Sequence, residues 1–161
     1  MSILNSKFDI TSVDVPVALA ALAQVLRVPG GMTLNSEGTP VAGIIPAGAI
    51  VTMDTDGTAI LASTGAMGTR LNAKMVFVVI DGNKDYSGAF VQKLTVLHGG
   101  FTMQTDQFVA GAYVPGTLVS FANGKVTVAG ATDQFLGAVG PGGLDAVNGI
   151  LEVIVPQGHG F

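Results

Sequence analysis

The side chains able to do chemistry are few and scattered. His98 and His159 are the only histidines, and the chain has no cysteine. Neither histidine sits in an HxH or HExxH spacing, so zinc would need carboxylates gathered from elsewhere. Both read as solvated turn histidines. Asp81-Gly82-Asn83-Lys84-Asp85 sets three oxygen-bearing side chains at alternate positions, as the start of an EF-hand loop does. Such a loop needs glycine at its sixth position and a bidentate glutamate at its twelfth, where this chain has Tyr86 and Gln92. The segment reads as a polar hairpin turn, and no metal or cofactor is expected. No GxSxG elbow surrounds any serine, and nothing favours a triad through His98 and Asp81. Gly140-Pro141-Gly142-Gly143 lacks the GxGxxG spacing, and Gly124-Lys125 is followed by Val126 rather than Ser or Thr. Neither cradles a phosphate, and both read as turns. Glycoside hydrolysis needs two acids facing each other across a groove. Here Asp54, Asp56, Asp81, Asp85, Asp133 and Asp145 fall at turns, and Glu37 and Glu152 are isolated. The expectation is a protein with no catalytic residues.

Composition points the same way. Only 11% of the 161 residues are charged, against about 25% in an ordinary soluble domain. Hydrophobic residues make up 48% and the mean hydropathy is +0.57. So few charges leave part of the surface to be covered by other subunits. The net charge of −4 comes with no basic cluster: Lys7, Arg27, Arg70, Lys74, Lys84, Lys93 and Lys125 are spread along the chain. No nucleic-acid partner is expected, since that needs a gathered cationic face. The longest apolar stretch, Val15 to Leu26, contains Pro16 and Gln24 and is too short to span a bilayer. Asp9 and Asp14 precede it, which also makes it a poor signal peptide.

The elements that would position these groups are mostly strands. Residues 1–31 read as an N-terminal arm followed by a short helix. In the arm, residues 1–13, isolated Ile3, Leu4, Phe8 and Ile10 are spaced by polar residues, a pattern that a partner surface orders; a first strand of the body is the other reading. Asp14 and Pro16 then suit a helix start, with Leu19, Leu22 and Leu26 on one face and Val28-Pro29-Gly30-Gly31 as the stop. From Met32 onward, runs of Val, Ile, Thr and Phe alternate with glycine turns. Asp56-Gly57 and Asn123-Gly124 are hairpin signatures, because a type I′ turn needs positive φ. Met75 to Ile80 and Ile150 to Val155 read as strands buried on both faces, and Phe101 to Phe108 as an antiparallel strand with one packed face. The fold class expected is mainly β: a compact barrel- or sandwich-like body.

The chain also repeats itself. Pro46 to Gly57 returns as Pro115 to Gly124, Phe77 to Gly82 as Phe135 to Gly140, and Leu94 to Gly99 as Val153 to Gly158. The offset is roughly sixty to seventy residues, longer than a solenoid period. The repeat divides the β part into a first module at 32–100 and a second at 101–161, packed as one domain. What is doubled is apolar scaffold with no shared reactive side chain.

This pattern resembles tailed-bacteriophage capsid decoration, or cement, proteins. Its marks are a Pro-x-Gly turn before an aliphatic strand, an Asp/Asn-Gly hairpin, a Phe-aliphatic strand ending in glycine and a last aliphatic strand. The stretch Phe90 to Phe108 and the opening Lys7-Phe8-Asp9-Ile10-Thr11-Ser12 are similar to phage virion structural proteins. The resemblance implies a non-enzymatic protein, often a homotrimer, made in the host cytoplasm and placed on the outer capsid surface. Its partner would be the major capsid protein, whose capsomers it locks together, with no membrane and no small-molecule substrate. Ile3, Leu4, Phe8 and Ile10 are the expected capsid or subunit contacts. The alternatives are another virion component, in tail or neck, and a host-surface or carbohydrate-binding β-module.

Overall fold

A computed structural model describes residues 7–13, 23–27, 33–34, 40–41, 45–53, 59–63, 75–80 and 93–156. They form thirteen strands and no helix. In chain order these are β1 (Phe8–Val13), β2 (Ala23–Arg27), β3 (Thr33–Leu34), β4 (Pro40–Val41), β5 (Ile50–Met53), β6 (Ala59–Leu61) and β7 (Val76–Val79). There follow β8 (Lys93–Leu97), β9 (Phe101–Thr105), β10 (Leu118–Ala122), β11 (Lys125–Val128), β12 (Gly137–Asp145) and β13 (Ile150–Val155). One sheet runs β2-β8-β7-β5-β6 and the other β1-β9-β13-β12-β10-β11, with β3-β4 a separate ribbon. All ladders within them are antiparallel. The mainly-β expectation holds.

The doubling is visible as topology. Laid side by side, β2-β8-β7-β5-β6 and β9-β13-β12-β10-β11 have the same strand order. The hydrogen bonds repeat as well. Gly48 N–H donates to Val79 O and Val79 N–H to Ala49 O, at 2.8 and 2.9 Å; Gly116 N–H donates to Val139 O and Val139 N–H to Thr117 O, at 2.9 and 2.8 Å. Ala62 N–H to Ile50 O matches Ala129 N–H to Leu118 O, both 3.0 Å. These pairs set Ile50 on Leu118, and the ladders then set Val78 on Ala138 and Leu97 on Ile154. The same registers match Phe77 to Gly137 and Leu94 to Leu151, so the sequence alignment of these strands slips by two residues. A slip of two leaves every side chain on its own face, so hydrophobic pattern alone does not detect it.

Three expectations need correction. Ala23–Arg27, assigned to the end of a helix, is strand β2, paired residue for residue with Leu97 to Lys93. Pairing along the whole of β8 outweighs the modest helix preference of Ala and Leu; residues 14–22 lie outside those described. Of the two readings left open for residues 1–13, the described part follows the first-strand one: Phe8–Val13 is an edge strand on β9, with a register shift between Ile10 and Ser12. Strand β13 is not buried on both faces: Leu151, Val153 and Val155 are inside, whereas Ile150, Glu152 and Ile154 are half-buried. Strand β7 is buried throughout, with Met75 before it exposed. Gly140-Pro141-Gly142-Gly143 is no connecting turn but the middle of β12, where the register to β13 shifts between Val139 and Leu144. An irregularity of this kind inside a long strand re-aims it without ending it, and glycine tolerates the local φ.

The principal core draws on both sheets: Ile50, Val76, Val78 and Leu97 from one, with Phe101, Met103, Val119, Phe121, Val126 and Val153 from the other. A second cluster, with Val51, Phe77, Val79, Leu94 and Val96, fills the opposite face of the first sheet. Each fully buried side chain of this size contributes roughly 1.5–3 kcal/mol.

Candidate functional site

Several of the described groups with chemistry make hydrogen bonds within the scaffold. Asp145 Oδ1 accepts N–H bonds from Val147 (3.0 Å) and Asn148 (3.1 Å), and its Oδ2 accepts one from Asn148 Nδ2 (2.7 Å). Asp133 Oδ2 accepts the Gly130 N–H at 2.7 Å, and Glu152 Oε1 the Gly142 N–H at 3.0 Å. Asp106 Oδ2 accepts the Lys7 N–H at 3.0 Å while Lys7 Nζ donates to Asn148 O at 2.6 Å, so the foot of β1 is clamped to two loops of the second sheet. His98 is half-buried rather than open to water. Its Nδ1 lies 3.0 Å from Val76 O and its ring packs at 58° to that of Phe77, with centroids 5.8 Å apart. His159, Asp54, Asp56 and the Asp81–Asp85 turn lie outside the described residues. Among the described residues no three His, Asp or Glu side chains converge as metal ligands.

The Asp145 carboxyl is held below its ordinary value of 3.8, first by the Asn148 side chain, then by the Asn148 and Val147 amides and the Lys7 charge. A carboxyl more acidic in the folded chain contributes order to this turn above pH 3.8, and the contribution is lost as pH falls through the folded value. The Val147 and Asn148 amide shifts should therefore titrate together in NMR with a midpoint below 3.8, and the step should vanish in Asp145→Asn. A midpoint at or above 3.8 would show that these bonds do not favour the Asp145 carboxylate.

Of the expected contact residues, Phe8 and Ile10 are half-buried on β1 and pack against the principal core. They tie the N-terminal strand to the second sheet. Ile3 and Leu4 lie outside the described residues.

What the sequence reading missed is the exposure of several aliphatic side chains on the second module. Leu118 is 57% exposed, Val114 64%, Val109 40% and Val128 38%. They sit on β10, on β11 and on the segment between β9 and β10. Phe108 and Val109 run beside β11: Phe108 bridges to Val126, and Val109 N–H donates to Val126 O at 2.8 Å. Tyr113 fixes this segment. Its hydroxyl donates to Val109 O at 2.6 Å, with Val126 O a further acceptor at 3.2 Å, and Phe108 meets its ring edge-on at 5.7 Å. Burial pushes the Tyr113 phenol above its ordinary value, so it remains a donor across neutral pH. Val128, paired with Val119, lies on the core-facing side of the sheet at its edge, and Leu118 on the outer side, so the exposed aliphatic side chains are spread over both faces. The signal for Val114 and Leu118 in the sequence was Val-Pro-Gly-Thr-Leu at 114–118, apolar residues on both sides of a turn.

Comparison with protein-family models, with curated proteins and with solved structures finds no match.

Proposed function

We infer that the chain is a non-enzymatic structural protein of a phage virion, decorating the outer head surface and bridging neighbouring capsomers. The observation that carries the reading is the exposed aliphatic set of Leu118, Val114, Val109 and Val128 on a rigid β-body. Low charge and a doubled scaffold support it, and so do acids that hold turns. The resemblance in strand-and-turn pattern supplies the partner, the major capsid protein, and the trimeric state. A rigid face loses little conformational entropy on docking, and a symmetric oligomer gripping several capsid subunits gains from raised effective concentration.

Ile3 and Leu4 are the proposed shell contacts of the arm, standing ahead of the clamp at Lys7. Deleting residues 1–6 should leave the melting midpoint within a few degrees of wild type and reduce co-sedimentation with undecorated capsids at least tenfold. Undiminished co-sedimentation would remove the arm from the interface. The reading itself is tested by cryo-electron microscopy of the virion. Density for this chain at three-fold or quasi-three-fold head positions supports decoration, density in tail or neck moves the protein there, and absence from the particle overturns the proposal.

A further inference from the structure

The chain has two Asn-Gly dipeptides, Asn123-Gly124 and Asn148-Gly149, and the fold treats them oppositely. Asparagine before glycine is open to a reaction that needs no enzyme. The backbone nitrogen of the glycine attacks the side-chain amide carbon, and the missing Cβ leaves that approach clear. At the first dipeptide the attacking nitrogen is in use. Gly124 is buried, its N–H donates to Ala62 O and its O accepts the Ile50 N–H, both at 2.8 Å. Turning that nitrogen onto Asn123 would unseat the β10–β11 hairpin from the first sheet.

At the second dipeptide the nitrogen is open. Asn148 is exposed at the tip of the β12–β13 hairpin, and a Cβ on Gly149 would meet nothing within 4 Å. The Gly149 N–H makes no hydrogen bond among the described residues. What restrains the site is the Asn148 side chain itself. Its Nδ2 donates to Asp145 Oδ2 at 2.7 Å, and the Asn148 N–H to Asp145 Oδ1 at 3.1 Å. Asp145 stands three residues earlier, so the bond draws the side chain back along the chain, away from Gly149.

We propose that the Asn148-Gly149 turn is a one-way latch: Asp145 keeps it shut, and attack of the Gly149 nitrogen on the Asn148 side chain opens it. A bond forms between Gly149 N and Asn148 Cγ, the Cγ–Nδ2 bond breaks, and Nδ2 leaves as ammonia with the proton from the Gly149 nitrogen. Water then opens the cyclic imide at one of its carbonyls, giving aspartate or isoaspartate at position 148. The latch does not close again. In the aspartate product a carboxylate oxygen replaces the Nδ2 donor facing Asp145, so two like charges stand where a hydrogen bond was. In the isoaspartate product the Asn148 carbonyl, the acceptor of Lys7 Nζ at 2.6 Å, leaves the main chain and becomes a carboxylate. The modification thus records the age of the molecule at the turn that also grips the foot of β1, whatever the chain assembles with.

The full chain, held at mildly alkaline pH and mapped by peptide mass spectrometry, should gain the amide-to-acid mass at Asn148 while Asn123 stays intact. Asp145→Ala should speed conversion at Asn148 several-fold and leave Asn123 unchanged. In urea, where neither glycine nitrogen is held by the fold, the preference for Asn148 should disappear. Conversion at Asn123 that keeps pace with Asn148, an Asp145→Ala rate equal to wild type, or a preference that survives urea overturns the proposal. The product's effect is read in Asn148→Asp by amide exchange. The Val147 N–H, which donates to Asp145 Oδ1 at 3.0 Å, should lose protection there. Protection equal to wild type would show that the turn stays shut after the reaction, and the latch would be refuted.

Discussion

Gly137→Ala should lower the unfolding free energy by about 3 kcal/mol, near the upper end of what one extra methyl does in a packed interior. A Cβ on Gly137 would lie closer than 3.0 Å to Ile154 O and at 3.4 Å from Val155 Cα. Both obstacles are backbone, so no side chain can rotate away. Relief requires β12 to part from β13, where Ala138↔Ile154 and Val139↔Val153 are ladder pairs. Gly149→Ala is the control: its φ of +64° makes alanine unfavourable, but nothing lies within 4 Å, so it should cost only about 1 kcal/mol. Urea denaturation of both variants decides the matter. Equal losses would show that the strands are not so closely apposed.

Gly137 also shows how far the sequence was legible. Its counterpart in the first sheet is Phe77, fully buried. Nothing in a hydrophobic pattern tells the reader that a phenylalanine and a glycine occupy one topological position. The two-residue slip follows from this, because Phe135 offered a more attractive match than Gly137. Patterning sees which face a residue points to, and a β ladder repeats that face every two residues. It does not see register, which is set by glycine approach and bulges.

Other elements were readable because their cause is local. Asn123 has φ +47° and Gly124 +77°, the two positive values that an Asn-Gly dipeptide announces. The alternation from Phe101 to Thr105 appears as buried and half-buried residues in turn along β9. The strand at Ala23–Arg27 was not readable, since its partner Lys93–Leu97 stands far along the chain. The exposure of Leu118 was hidden for the same reason. Leu118 and Val51 look alike in sequence, and only the pairing of sheets decides that Val51 is buried and Leu118 is not.

Gly124→Ala should destabilise the chain by about 2–4 kcal/mol, from two causes that can be separated. The first is backbone: at φ +77° an L side chain is strained, by about 1–2 kcal/mol. Gly116→Ala, at φ +88° with open space around it, measures that cause alone. The second is contact, since the new methyl would press on Leu61 Cδ2 at 2.5 Å and on Ile50 O at 3.3 Å. Leu61 can turn aside, but Ile50 O is backbone and also accepts the Ala62 N–H. The excess of Gly124→Ala over Gly116→Ala therefore reports how tightly the hairpin tip is seated on the first sheet. Amide exchange should place the loss there, with the Ile50, Ala62 and Gly124 amides losing protection and those of β9 and β13 keeping theirs.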